Sequence, residues 1–328
     1  MTVGQESDGG PRVHSSATHP RVNPGAGSGT ADGAASGPET APVPPGFVLV
    51  LAVLAVSTGS IFVRFAEAPA LATAFWRMAF AVAVIAPLTL RRAWREAPRM
   101  SRREVWAGLA AGFFLALHFA TWIRSLDFTT VAASTVIVAT TPLWVALFAP
   151  LFGTERASGP MVLGILLSFT GAAVVGFGDF EISQAALGGD LLALAGAAAA
   201  ALYLLFGRRL RARVSIGTHL LYCYGTATLF LGLFALLADE PLLGLEPSAY
   251  GWFLALALVP QLLGHSGYNW ALRWASTSLV ALVELGEPLV ASLLAWWLLA
   301  ELPRAATAWG GVLILAGFLV AARSERRK

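Results

Sequence analysis

The chain has 328 residues, 57% of them hydrophobic and only 12% charged, with a formal net charge of +3. A soluble protein carries about 25% charged residues, so this composition, with its mean hydropathy of +0.69, excludes a soluble two-domain protein and requires lipid over part of the surface. The single cysteine, Cys223, excludes an intramolecular disulfide and argues against a Cys-based metal site; it reads as a small packing residue in a helix.

Residues 1–45 hold 7 of the 18 prolines and are rich in Gly, Ser, Ala and Thr. So little apolar surface cannot offset the entropy of ordering, and this segment is expected to be a disordered N-terminal tail. No apolar core with a cleavage site follows Met1, so a signal peptide is not expected. His14 and His19 read as incidental.

From Gly46 onward, apolar stretches follow one another, each long enough to cross roughly 30 Å of hydrocarbon at about 1.5 Å per residue. They fall near Gly46–Phe65, Ala70–Leu90, Val105–Ile123, Val131–Phe152 and Met161–Phe177. A second set falls near Leu187–Phe206, Thr218–Leu237, Tyr250–Leu272, Ser278–Ala300 and Ala305–Ala322. A transmembrane β-barrel is excluded, because its strands alternate polar and apolar residues whereas these runs are continuously apolar. The expectation is an all-α membrane protein with ten transmembrane helices.

The loop expected between the second and third helices carries Arg91, Arg92, Arg95, Arg99, Arg102 and Arg103. The one between the sixth and seventh carries Arg208, Arg209, Arg211 and Arg213, and residues 323–328 form a basic C-terminus with Arg323, Arg326, Arg327 and Lys328. If ten helices alternate, all three blocks share one side, which the positive-inside rule makes cytoplasmic together with both termini. Such blocks fit topogenic loops better than a nucleic-acid surface. Asp179, Glu181, Asp190, Asp239, Glu240 and Glu246 are expected in loops on the other side.

The two sets of helices repeat at an offset of 146 residues: Trp106 aligns with Trp252, Leu126 with Leu272, Pro142 with Pro288, Glu155 with Glu301, Gly164 with Gly310 and Gly171 with Gly317. The expected repeats are 46–178 and 187–322. With five helices in each, the second copy enters the membrane from the opposite side and is inverted relative to the first. Inverted repeats are a common plan of secondary transporters, whose sites lie between the copies.

These features resemble the drug/metabolite transporter superfamily and, within it, the EamA-type members. The resemblance rests on the two five-helix repeats and on the stretch TTPLWVALFAPLFGTE at 140–155. It rests also on EPLVASLLAWWLLAE at 287–301, with its Glu-Pro pair and terminal Glu, and on the Gly-spaced helices around 164–176 and 310–317. It covers roughly residues 46–322. It implies secondary transport of amino acids, other metabolites or toxic compounds, often as export, from a cell-membrane location and without ATP. No GxxxxGK[ST] phosphate loop is found, and no cofactor or metal is expected.

Ionisable groups inside hydrocarbon cost about 2.5–3.5 kcal/mol on insertion scales, so those that remain there mark sites. Five stand out: Arg77, His118, His265, Glu284 and Glu287. Glu284 and Glu287 lie three residues apart on one face of the ninth helix, and either would bind a proton or a cationic part of a substrate, Glu284 foremost. Glu287 belongs to the Glu-Pro pair and has an alternative role, hydrogen-bonding backbone freed near Pro288. Gln261, His265, Tyr268 and Asn269 recur at helical spacing on the eighth helix, as do His118 and Trp122 on the third. An aromatic lining with a few polar groups suits a small amphipathic metabolite, although interhelical hydrogen bonding would use the same residues. Arg77 could hold a substrate carboxylate, pair with a helix C-terminus or snorkel outward. Ser57, Ser60 and Arg64 form a further stripe, with Arg64 at the outer interface.

Trp94, Trp106 and Trp309 are read as interfacial anchors. Gly164, Gly171, Gly310 and Gly317 are read as permitting close helix packing, within the protein or in a homodimer. Glu155 and Glu301 are read as structural, pairing with Arg156 and Arg304. A membrane-embedded enzyme is the weaker reading, since no HExxH or Asp-rich motif links the histidines and acids and no catalytic residue is assigned. A passive channel or scaffold is the other alternative.

Overall fold

The structure is a computed structural model, and it describes residues 41–129, 131–153, 158–177, 184–299 and 305–325. Among these residues all regular structure is helical, in ten runs. We label them α1 (Pro45–Ala66), α2 (Ala70–Arg99), α3 (Arg102–Ser125), α4 (131–152), α5 (Gly159–Phe177), α6 (Gln184–Arg211), α7 (Ile216–Leu237), α8 (247–271), α9 (277–299) and α10 (Ala305–Glu325). Seven of them are long and apolar enough to cross a membrane: α1 to α4, α6, α7 and α9. α5 and α10 contain shorter apolar stretches, Gly159–Gly171 and Trp309–Ala321. α8 is not uniform, running as α-helix over Pro247–Leu256, π-helix over Ala257–His265 and α-helix over Ser266–Ala271.

The arginine blocks require one correction. Arg91, Arg92 and Arg95 are not in a loop but on the last turns of α2, and Arg102 and Arg103 open α3. Arg208, Arg209 and Arg211 likewise lie on α6, Asp190 lies inside its first turns, and Arg323 lies on α10. Helices can outrun the hydrocarbon because cations suit a helix C-terminus, where they meet unpaired carbonyls. Arg208 Nη1 donates to the Ala275 carbonyl at 2.6 Å and Arg209 Nη2 to that of Phe152 at 2.8 Å. The expected tail boundary also shifts, since α1 already begins at Pro45. Residues 1–40, Asp179, Glu181, Glu155, Arg156, Glu301, Arg304, Arg326, Arg327 and Lys328 lie outside the described residues.

The α2–α3 and α6–α7 junctions meet at one end of the bundle. Glu96 Oε2 accepts from the backbone N–H of Ser215 at 3.0 Å and from its hydroxyl at 2.9 Å, and Arg213 pairs with Glu104 at 3.8 Å. The acidic α7–α8 junction sits at the starts of α2 and the end of α3, where Glu240 accepts from Leu71 N–H at 3.0 Å and lies 3.9 Å from Arg124. Two arginine blocks therefore share one end, and Glu240 marks the other.

Helix contacts follow the repeat. With α1 to α5 corresponding to α6 to α10, three helices pack on their own counterparts: α2 on α7, α4 on α9 and α5 on α10. Other major contacts come in exchanged pairs, α1 with α8 and α6 with α3, and α3 with α7 and α8 with α2. This is the pattern of a pseudo-two-fold axis relating the halves. On the axis, Ser168 Oγ donates to the Ile314 carbonyl at 3.1 Å, between positions that are themselves 146 residues apart.

The α5–α10 contact depends on glycine. A Cβ added at Gly171 would lie 2.5 Å from the Gly310 carbonyl oxygen, and one at Gly164 would lie 2.7 Å from that of Gly317. These small residues let two backbones approach without lipid between them. They are used within the chain.

Helix breaks also follow the repeat. α4 is interrupted at Ala139–Thr140 and α9 at Leu285–Gly286, in each case just before a proline, Pro142 or Pro288. Proline has no N–H to donate four residues back, so the helix cannot continue unbroken. Thr140 and Thr141 donate their hydroxyls to the Ile137 and Val138 carbonyls, both at 2.7 Å. α1 breaks at Ser57–Thr58, where Ser57 Oγ donates to Val53 O and Thr58 Oγ1 to Ala55 O, each at 2.7 Å. The α6 stretch equivalent to that break is regular helix, as is the α3 stretch equivalent to the π-helix of α8. The two copies thus differ where α1 meets α8.

Replacing Gly171 by Leu is expected to drive a side chain into the α10 backbone and lower stability by about 1–3 kcal/mol. The thermal midpoint of the purified protein would fall, and an unchanged midpoint would rule out the close packing described here.

Candidate functional site

One cavity collects the five ionisable groups that the sequence places inside the apolar runs. Its wall is formed by Arg77 of α2, His118 and Trp122 of α3, Tyr203 of α6, His265 and Tyr268 of α8, and Glu284 and Glu287 of α9, with Val56, Phe119, Thr135, Val138 and Ala200 between them. Every one of these helices also packs against a helix of the other half. The cavity therefore lies between the two copies.

The break in α9 sets the two acids. Glu284 ends the first segment of the helix and Glu287 begins the second, so the Leu285–Gly286 interruption separates them while leaving both on the cavity. Neither carboxylate accepts a hydrogen bond from any described residue, and both side chains are partly accessible. The alternative role for Glu287, bonding backbone near Pro288, is not what its side chain does; only its carbonyl is engaged, by Ser57 Oγ at 3.5 Å.

Arg77 neither snorkels nor caps a helix. It is 1% exposed, its Nε donates to Gln261 Oε1 at 2.9 Å, and its guanidinium carbon lies 4.1 Å from the centre of the Phe119 ring. Among the described residues no carboxylate comes within 4.0 Å of it, and its Nη2 has no hydrogen-bond partner there. His265 Nδ1 and the Tyr268 hydroxyl, on the same wall, are also buried without partners. Three unsatisfied polar atoms around one space are costly unless something else meets them.

The histidines sit differently. His118 Nδ1 is 3.0 Å from the Gly196 carbonyl, so it donates there and leaves Nε2 as the acceptor in the neutral ring. Its ring stacks parallel to Trp122, with centres 6.1 Å apart. His265 has four aromatic neighbours: Phe119 at 5.3 Å, Tyr268 at 6.0 Å, and His118 and Tyr203 each at 6.4 Å.

The expected stripe on α8 divides. His265 and Tyr268 reach the cavity, whereas Gln261 lies beside it holding Arg77. Asn269 turns into an adjoining buried network, its Oδ1 accepting from His219 Nε2 at 2.8 Å and its Nδ2 donating to Tyr203 Oη and the His265 carbonyl. The π-helix over Ala257–His265 shifts Gln261 relative to the residues after it, because it has more residues per turn than the 3.6 on which the stripe was reckoned, whereas Asn269 lies beyond it in regular α-helix, about 100° around the axis from Tyr268. The Gln261 carbonyl, which takes the backbone N–H of Ser266 at the end of the π-helix, also accepts from Ser266 Oγ at 3.2 Å and Tyr224 Oη at 3.4 Å.

Tyr203 and His219 escaped the sequence reading. Tyr203 lies in an alanine-rich run and is a tyrosine without a polar neighbour at helical spacing. His219 opens α7 beside the arginine block and reads as an interfacial residue, although it is fully buried. Ser57 and Ser60 are buried next to the site, while Arg64 is exposed. Among the described residues, no group of three His, Cys, Asp or Glu side chains could hold a metal ion.

Comparison with known proteins agrees with this architecture. The EamA-like transporter family model matches twice, over residues 45–177 and 187–323. Two relatives from Archaeoglobus fulgidus, each described as an uncharacterized transporter, are similar along most of their length. One is 25% identical over 84% of this chain and 95% of its own, the other 26% identical over 80% and 91%. A solved crystal structure superposes with a TM-score of 0.71 at 22% identity, covering 87% of this chain and 99% of that one, which supports the fold alone. A family model that spans both halves, over helices that pack as two related copies around one polar cavity, places this membrane transporter chain in the EamA-like transporter family.

Proposed function

We propose that the protein is a secondary transporter that exports small amphipathic metabolites, amino acids and related compounds among them, across the cell membrane. In this reading ten membrane-spanning helices form two inverted repeats, 46–178 and 187–322, with both termini in the cytoplasm. The observation that carries it is the convergence of Arg77, His118, Trp122, His265, Tyr268, Glu284 and Glu287 on one cavity between the halves. A site between inverted copies can open to either side when the halves exchange conformations. The breaks in α1, α4 and α9 and the π-helix of α8 surround the cavity, where a change of backbone geometry would open it.

Glu284 is the proposed proton-coupling residue. Its first-half counterpart is Val138, and its carboxylate has no hydrogen bond to occupy it. A carboxylate that alternates between proton and substrate links the movement of one to that of the other. Gln261 and Asn269 serve the site indirectly, by holding Arg77 and Tyr203.

In proteoliposomes loaded with a metabolite panel, wild type is expected to drive concentrative flux under an imposed proton gradient. Glu284→Gln should lose at least tenfold of that driven flux while retaining exchange of substrate for substrate. Gradient-driven flux equal to wild type would rule out coupling at this residue, and flux that neither saturates nor concentrates would favour a passive channel.

The orientation can be measured in a Cys223→Ser background. Single cysteines at Arg95 and Arg213 should resist a membrane-impermeant maleimide in intact cells, and one at Glu246 should react. The reverse pattern would invert the proposed topology.

A further inference from the structure

We infer that the donor-lined side of the cavity, centred on Arg77, is the binding site for a carboxylate group on the transported molecule. This rests on reading the cavity as the transport site, and it narrows the substrate to organic acids with an apolar body.

Arg77 is built as a receptor rather than as half of an internal ion pair. A buried guanidinium left alone is expensive, and proteins ordinarily place a carboxylate against it. Two carboxylates share this cavity, yet neither lies within 4.0 Å of Arg77. The side chain is instead held by neutral groups, with Gln261 Oε1 on Nε and the Phe119 face beneath the guanidinium plane. Neutral restraint fixes the direction of the guanidinium, and Glu287 acts on its charge only from across the cavity, beyond ion-pair distance. Its Nη2 is fully buried and unpartnered.

Two more buried polar atoms on this wall lack partners, the Tyr268 hydroxyl and His265 Nδ1. With His265 in the Nδ1–H tautomer, all three are donors. A carboxylate accepts up to about four hydrogen bonds, and guanidinium–carboxylate pairing is the strongest of the charge-assisted kind. A neutral acceptor would answer the hydrogen bonds but leave the guanidinium without a charge in direct contact. An anion answers both.

The rest of the wall limits what carries that anion. Trp122 and Phe119 offer flat apolar contact, which suits an aromatic or branched body. Glu284 and Glu287 face the same space, so an entering anion must be accompanied by a proton on the acids or by a cationic group of its own; otherwise three like charges would share a low-dielectric cavity.

Gln261 is the positioning residue, and it supplies the decisive variant. Gln261→Glu is nearly isosteric and would put a carboxylate against Arg77 Nε, satisfying the guanidinium internally. The purified full-length protein would be titrated with benzoate and 3-phenylpropionate, and with their uncharged amides, while thermal unfolding is followed. Wild type is expected to be stabilised by the acids at concentrations at least tenfold lower than by the amides. Gln261→Glu and Arg77→Gln should each reduce that preference to threefold or less. Should Arg77→Gln fail to fold, Gln261→Glu alone decides.

Equal stabilisation of wild type by acids and amides, no stabilisation by any acid, or an undiminished preference in Gln261→Glu would overturn the assignment. The transport reading fails separately. Acids that bind with the expected preference but are not moved in proteoliposomes would overturn transport and keep this site. Movement of amines or amides with no preference for acids would do the reverse.

Discussion

Inside hydrocarbon, every backbone N–H and C=O must find its partner within the protein, and this constraint organises the molecule. It makes the chain helical wherever lipid is near and confines departures from regular helix to places lined by protein. The interruptions at Ser57–Thr58, Ala139–Thr140 and Leu285–Gly286, and the π-helix at Ala257–His265, are such departures. Three of the four are met by nearby hydroxyls: Ser57 and Thr58 on α1, Thr140 and Thr141 on α4, and Ser266 and Tyr224 on the Gln261 carbonyl of α8. The irregular backbone and the polar cavity occupy the same region because each needs protein rather than lipid around it.

The duplication supplies the frame, and its imperfections supply the chemistry. Ser168 against Ile314, and Gly164 and Gly171 against α10, hold positions related by the pseudo-two-fold axis. Pro142 and Pro288 break equivalent helices at equivalent points. Around the cavity the copies part: Glu284 and Glu287 replace Val138 and Thr141, and α8 carries a π-helix where α3 is regular. A symmetric scaffold can exchange the roles of its halves, whereas charged groups from one half give the cavity a chemical polarity.

Charge is distributed with similar economy at the ends of the bundle. The arginines at the α6–α7 junction do more than bias orientation, because Arg208 bonds the Ala275 carbonyl between α8 and α9, Arg209 bonds the Phe152 carbonyl at the end of α4, and Arg211 donates to Asn269 O at 3.2 Å and Val214 O at 2.7 Å. Through Asn269 this end of the protein connects to Tyr203, on the cavity wall, and to His219. Glu96, Ser215 and Glu104 tie the two basic junctions together.

The sequence by itself determined the helical class, the approximate helix positions, the repeat and the short set of intramembrane charges, since all of these follow from local hydropathy and spacing. Arg77, His118, His265, Glu284 and Glu287 were legible because ionisable groups are rare in apolar runs. Tertiary structure decided which of them meet. Helical spacing placed Gln261, His265, Tyr268 and Asn269 on one face, but the π-helix shifted Gln261 out of that register and packing gave Asn269 to His219 and Tyr203, and no local pattern reports an extra residue per turn. Tyr203, in its alanine-rich run, and His219, beside a block of arginines, became visible only as neighbours in space. That Arg77 is held by Gln261 and Phe119 rather than by either acid depends on distances between α2, α3, α8 and α9, set by packing between residues nearly 200 positions apart.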